Sequence, residues 1–161
     1  MKRVLTMMVL VLLVGCKPAA PTVQDDNKII EQSKQALVYK LSKTHAEGRC
    51  ERAQRLADYG AGTRRGALSI CDSIFDVNNE YQFSDVKLYR NPTDGAYVCG
   101  IISGWSEISR IGARFIIYLK NGKTPESLTD IYIVKSKYPI GSGEVRFRYE
   151  FYHGLYAAKC K

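Results

Sequence analysis

The sequence predicts an α+β fold: N-terminal helices, including a helical hairpin, packed on one face of an antiparallel β-sheet. Two observations carry this expectation. Apolar residues recur at helical spacing from Lys28 to about Val77, then with a period of two after Asn78-Asn79. Helical segments come first and strand segments follow, rather than alternating, which argues against a parallel α/β sheet. At 161 residues, with 45% hydrophobic and 25% charged content, the chain has room for one ordinary domain plus an appendage. Its composition is that of a folded protein, not a disordered one.

Each element has its own signal. Ile30, Lys34, Leu37 and Leu41 recur at helical spacing, with the acidic pair Asp25-Asp26 at the start. A second helical segment runs from Ala46 to Tyr59, with Cys50, Ala53 and Ala57 on one face. The GAG of residues 60–62 breaks it. Thr63 is then placed to cap a third helix carrying Leu68, Cys71 and Phe75, with Ile70 and Ile74 widening that face. FSDVKLYR alternates as a strand, and NPTDG is a turn in which Pro92 presets φ and Gly95 tolerates a positive φ. AYVCGII is the expected hairpin partner. RFIIYLK, bounded by NGK, and DIYIVKSKY read as further strands, and GSG marks another turn. VRFRYEFYH has the cleanest alternation and is expected as the last strand. It sets Val145, Phe147, Tyr149 and Phe151 against Arg146, Arg148, Glu150 and Tyr152.

Ahead of the fold, Met1-Lys2-Arg3 is a short basic segment, and Val4 to Val14 is an almost unbroken apolar run. A run of about a dozen residues falls short of the ~20 that a membrane-spanning helix needs. The positive flank and the small residues at its end mark residues 1–15 as a cleaved signal peptide. Leu13-Val14-Gly15-Cys16 resembles the lipobox of bacterial lipoproteins. The resemblance implies cleavage before Cys16, a diacylglyceryl thioether on its sulfur and acylation of the new amine. Lys17, not Asp, follows the cysteine, which the same resemblance reads as sorting to the outer membrane of a Gram-negative cell, facing the periplasm. Two or more acyl chains anchor a protein stably without a spanning helix, each buried methylene adding about 0.8 kcal/mol. Behind the lipid, residues 16–27 (Cys16 followed by KPAAPTVQDDN) read as a semi-extended tether, leaving residues 28–161 as a single domain.

The remaining cysteines follow from that address. With Cys16 lipidated, Cys50, Cys71, Cys99 and Cys160 form an even set in an oxidising compartment, and three pairings are open. Cys50 and Cys71 lie at similar distances on either side of the glycine bend, so an antiparallel helix pair brings them to the same height. Cys99, in a strand, is then left for Cys160 near the C-terminus. Closing loops of about 20 and 60 residues stabilises by about 3–4.5 kcal/mol each if the effect is unfolded-chain entropy. A zinc site is not expected, since there is no C-x-x-C and no histidine beside a cysteine pair. Nor is any other cofactor, and paired sulfurs have no nucleophilic chemistry.

Losing residues 1–15, which hold Lys2 and Arg3 and no acid, lowers the net charge from +8 to +6. Arg49, Arg52 and Arg55 recur every three residues and, with Arg64 and Arg65, make the densest basic cluster. They suit an anionic lipid, a phosphorylated glycan or an acidic envelope protein; a solvated helix face paired with Glu47 and Glu51 is the plainer reading. Nine of the eleven tyrosines follow residue 80, so Arg146, Arg148 and Tyr152 are expected as a second contact surface on a sheet face. Export leaves nucleic acid outside the expected partners. GAGTRRG, residues 60–66, lacks the spacing and the lysine of a phosphate-cradling loop and follows a helix.

Nothing in the sequence forms a recognisable catalytic constellation. His45 and His153 are the only histidines, and there is no H-E-x-x-H or G-x-S-x-G. A pocket gathering either histidine with carboxylates would be the structural sign of an enzyme. FSDVKLYR…YVCG…F, from Phe83 to Phe115, resembles small exported Gram-negative proteins of unknown function, which implies export and a compact disulfide-bearing sheet. The chain departs from that pattern at IISGWSEIS. The expected function is therefore a lipid-anchored binding or accessory lipoprotein. The alternative is an inhibitor or a phage- or plasmid-exclusion lipoprotein, with a target that is not itself strongly basic.

Overall fold

The structure is a computed structural model that describes residues 23–120, 127–139 and 144–161. The signal peptide, Cys16, residues 17–22 of the tether and the NGK and GSG turns lie outside the described residues. The architecture is α+β. Helices α1 (Val23–Ala46), α2 (Arg49–Asp58) and α3 (Arg64–Cys71) precede strands β1 (Gln82–Asn91), β2 (Gly95–Trp105), β3 (Arg110–Leu119) and β4 (Ile131–Lys135). A last helix, α4 (Glu144–Lys159), closes the chain. The strands form an antiparallel meander in the order β1-β2-β3-β4.

The helical part follows its local signals with two shifts. Helix α1 begins at Val23, so residues 23–27 of the expected tether are its first turn, where Asp25 and Asp26 meet the positive end of the helix dipole. The second helix starts at Arg49, after Gly48, rather than at Ala46. At its end Gly60 turns left-handed (φ 72°), the Gly60 N–H donates to the Ala57 carbonyl and the Ala61 N–H to that of Leu56. These bonds satisfy carbonyls that a helix end leaves open. Thr63 caps α3, its hydroxyl accepting the Gly66 N–H at 3.0 Å. The helix stops at Cys71; Ile74 and Phe75 are buried beyond it, and Leu68 is exposed instead of joining the apolar face.

The sheet is covered on both faces. Ala96, Val98 and Ile102 of β2 join Phe115 and Ile117 of β3, Phe75 and the α1 residues Leu37 and Leu41 in the main core. Residues of opposite parity, Tyr97, Cys99 and Ile116, pack instead with Tyr132, Leu155, Tyr156 and Cys160. A bulge sets Asp85 and Val86 of β1 against Gly100, with Asp85 at φ 53°. The disulfides join Cys50 to Cys71 and Cys99 to Cys160, the two pairs that the spacing predicts.

The expected last strand is a helix. Residues 145–153 belong to α4, so Arg146, Arg148 and Tyr152 lie on a helix and not on a sheet face. Burial explains the outcome: Phe147, Tyr149 and Phe151, the supposed inner face, are 71%, 51% and 51% exposed. The residues that meet the sheet are Tyr152, Leu155, Tyr156 and Cys160, at helical spacing. The strand-like alternation at the start of the segment competes with that longer stripe and with the Cys99–Cys160 bond. At the outer edge of β4, the last strand in the sheet, Lys40 and Tyr138 already reach the backbone.

Candidate anion-binding cleft

Three separate stretches of chain meet beside the outer edge of β4. On α1, Leu37 and Leu41 face the core, and Lys40 and Thr44 follow the same helical spacing along its border. The Lys40 ammonium donates to the Ile131 carbonyl at 2.6 Å. Lys135, at the end of β4, donates from its ammonium to the Ser73 carbonyl at 2.9 Å, and its backbone N–H reaches the Tyr138 hydroxyl at 3.1 Å. Arg49, the first residue of α2, closes one side, and the Tyr132 and Tyr152 rings, 5.7 Å apart, close another.

The result is a cleft of about 300 Å³ lined by Lys40, Arg49, Lys135, Tyr132, Tyr138 and Tyr152, with Glu47 as the acid in its wall. Burial lowers the Lys40 pKa from its ordinary 10.5, while the nearby Asp130 carboxylate pulls it the other way. Backbone carbonyls hold both lysine ammoniums in place, so positive charge is presented at fixed points beside phenol rings. Such a site can take a phosphate or carboxylate group.

A second, shallower groove of about 510 Å³ adjoins the cleft, lined by Glu47, Arg49, Arg52, Ala53, Leu56 and Ile70. Arg52 donates to the Glu47 carbonyl at 2.6 Å. Of the arginine cluster, the structure brings Arg49 and Arg52 to this groove and leaves Arg55, Arg64 and Arg65 exposed outside it. A residue every three positions drifts by about 60° per step on a helix, which turns Arg55 away. Arg49 and Tyr152, assigned to two different surfaces from sequence, share the cleft. Arg146 and Arg148 lie near the start of α4. Lys40, Lys135, Tyr132 and Tyr138 carried no sequence signal as a site; the one available clue was a lysine set between core positions of an amphipathic helix.

The two histidines lie elsewhere. His45 does gather with carboxylates, Glu51 and Glu107, beside the Cys50–Cys71 disulfide. The space there is about 10 Å³, room for about one water and not for a substrate. Cys50, Cys71 and Glu107 also stand within 4.8 Å of one another, but the disulfide engages both sulfurs and removes them as thiolate ligands. His153 packs on the Tyr149 ring at 4.2 Å, with its Nδ1 3.4 Å from the Arg114 guanidinium.

Among the described residues no helix is long and apolar enough to cross a membrane. Comparison of the chain with family models, curated proteins and solved structures finds no significant match.

Proposed function

We propose that this chain is a lipid-anchored binding or accessory protein of a bacterial envelope, attached to the outer membrane through Cys16 and facing the periplasm, whose cleft takes an anionic ligand. The observation that carries the ligand class is the convergence of Lys40, Arg49 and Lys135, from three elements, on one tyrosine-lined cleft. The address rests on the basic segment, the short apolar run and Leu13-Val14-Gly15-Cys16.

Two measurements test the reading. The wild type is expected to fractionate with membranes and Cys16→Ser to be released; a Cys16→Ser protein that still sediments with membranes removes the anchor. In calorimetric titrations, phosphate or glucuronate is expected to bind and a neutral sugar not to. Arg49→Met or Lys135→Met should weaken binding at least tenfold, the scale of one lost charged hydrogen bond. Equal binding of charged and neutral sugars removes the anion site.

One observation favours the inhibitor reading as a second possibility. Trp105 and Ile108 stand 49% and 47% exposed on the β2–β3 turn, which Ser106 holds by accepting the Ile108 and Ser109 N–H groups. A tryptophan on a pre-formed turn is the kind of anchor that protein partners bury. Capture of an envelope or phage protein that Trp105→Ala abolishes would favour this reading; capture unchanged by Trp105→Ala would remove it.

A further inference from the structure

We infer that the ligand is an amphipathic anion, a phosphate or carboxylate group carried on a hydrocarbon chain. This rests on the anion-binding reading of the cleft and goes further, to the rest of the molecule bound there. The cleft and the shallower groove share Glu47 and Arg49, so they form one two-lobed site with Arg49 at the junction. The first lobe carries Lys40, Lys135 and the tyrosines; the second has Ala53, Leu56 and Ile70 as its apolar lining. Leu56 is 47% exposed, and Arg49 and Arg52 line the same groove. Lobes of about 300 and 510 Å³ are each of the size that small ligands occupy.

The apolar lobe is built in advance. Its two walls are α2, with Ala53 and Leu56, and α3, with Ile70, and the Cys50–Cys71 disulfide fixes them together over buried Ile74. A groove that does not have to form on binding loses less entropy when filled. The chemistry of the lobes also separates ligand classes. A glycan would continue onto aromatic rings or side-chain amides, and the second lobe offers neither among its lining residues. A peptide adding as a strand would need the outer edge of β4, which Lys40 and Tyr138 cover.

The test is a calorimetric titration of the full chain carrying Cys16→Ser with inorganic phosphate and with ethyl, butyl, hexyl and octyl phosphate as monomers. Affinity is expected to rise along the series by up to about fourfold per methylene, the factor for one methylene leaving water. Leu56→Gln, at a half-exposed position, should flatten the rise with chain length. Arg49→Met should weaken every member. If phosphate binds and chain length has no effect, the amphipathic ligand is overturned while the anion site stands. If neither phosphate nor any alkyl phosphate binds, both fall. Co-sedimentation with phosphatidylglycerol vesicles then separates sources. Sedimentation lost in Leu56→Gln identifies a bilayer lipid, and binding of alkyl phosphates without sedimentation identifies a free amphiphile; either outcome supports the inference.

Discussion

The Lys40 ammonium lies 2.6 Å from the Ile131 carbonyl, so a helix side chain occupies the backbone of the sheet's last strand. Four residues on, the Lys135 N–H is met by the Tyr138 hydroxyl at 3.1 Å, and β4 is thereby covered along its outer side. An uncovered edge is a template for pairing with another chain, and blocking it with lysine is a known defence. Lys40→Met keeps the aliphatic stem and removes the donor. It is expected to cost about 1–2 kcal/mol in chemical denaturation and to produce concentration-dependent association by light scattering. A Lys40→Met protein that stays monomeric at all concentrations would show that the edge is guarded by other means.

Asp72, just past α3, ties the hairpin to the far end of the sheet. It accepts from Ser106 at 2.8 Å, Ser109 at 2.5 Å and Lys137 at 2.8 Å. Burial pushes its carboxyl up, but the bonds from Lys137, Ser109 and Ser106 prevail and hold the pKa below the ordinary 3.8. A carboxylate with a depressed folded pKa stabilises above its unfolded value, and the gain is lost as pH falls below 3.8. Asp72→Ala is expected to destabilise at pH 7 by about 1–2 kcal/mol and by progressively less toward pH 2. Thermal melts of the two proteins across that range should converge at the acid end; a constant gap would assign the effect to packing instead.

Local signals carried most of the α+β plan and stopped where the fold brings distant segments together. The change of period at Asn78-Asn79, the glycine bend and the Thr63 cap are properties of a few adjacent residues, and each is present in the structure. The pairing of Cys50 with Cys71 was legible because one helical hairpin sets both heights. Residues 145–153 misled because a short alternation of aromatic and charged residues satisfies a strand, while the residues that decide, Leu155, Tyr156 and Cys160, lie downstream. The cleft was half visible. Arg49 and Tyr152 stood out by residue type, but only the placement of α4 against β4 unites them. Lys40 reads as an ordinary solvated lysine until Ile131 arrives beside it from the other end of the chain.

Gly100 marks a point where the sheet has no room for a side chain. A methyl added there would stand 2.9 Å from Phe115 Cζ and 3.0 Å from Val86 Cγ2, beside the bulge of β1. Phe115 is fully buried in the main core and has no free volume into which to retreat. Gly100→Ala is expected to cost about 1–3 kcal/mol, the range for overpacking a core. Denaturant melts should show the midpoint falling with little change in slope. Gly154, around which nothing lies within 4 Å, is the contrasting case: Gly154→Ala in α4 should stabilise by up to about 1 kcal/mol.

The end of α4 is held to the sheet by one covalent bond and one polar cluster. Cys160 bonds Cys99, and the residue before it, Lys159, pairs with Asp94, which also accepts from the Tyr97 hydroxyl at 2.6 Å. Burial, reinforced by the Asp94 carboxylate, pushes the Tyr97 pKa up to about 12 from 10.0. A group whose folded pKa is raised stabilises below its unfolded pKa and loses that contribution as pH rises, so the Tyr97 contribution declines from pH 10 to about 12. Tyr97→Phe is therefore expected to lower stability at pH 7 by about 1 kcal/mol and to flatten the alkaline fall of the melting temperature above pH 10. The disulfide acts at every pH: the Cys99→Ser, Cys160→Ser double variant should lose about 3–4.5 kcal/mol if unfolded-chain entropy dominates. Hydrogen exchange should quicken first in residues 152–160, because Tyr152, Leu155 and Tyr156 are the apolar contacts left to hold the helix. Exchange that quickens equally in α1 would instead make α4 part of one cooperative unit with the main core.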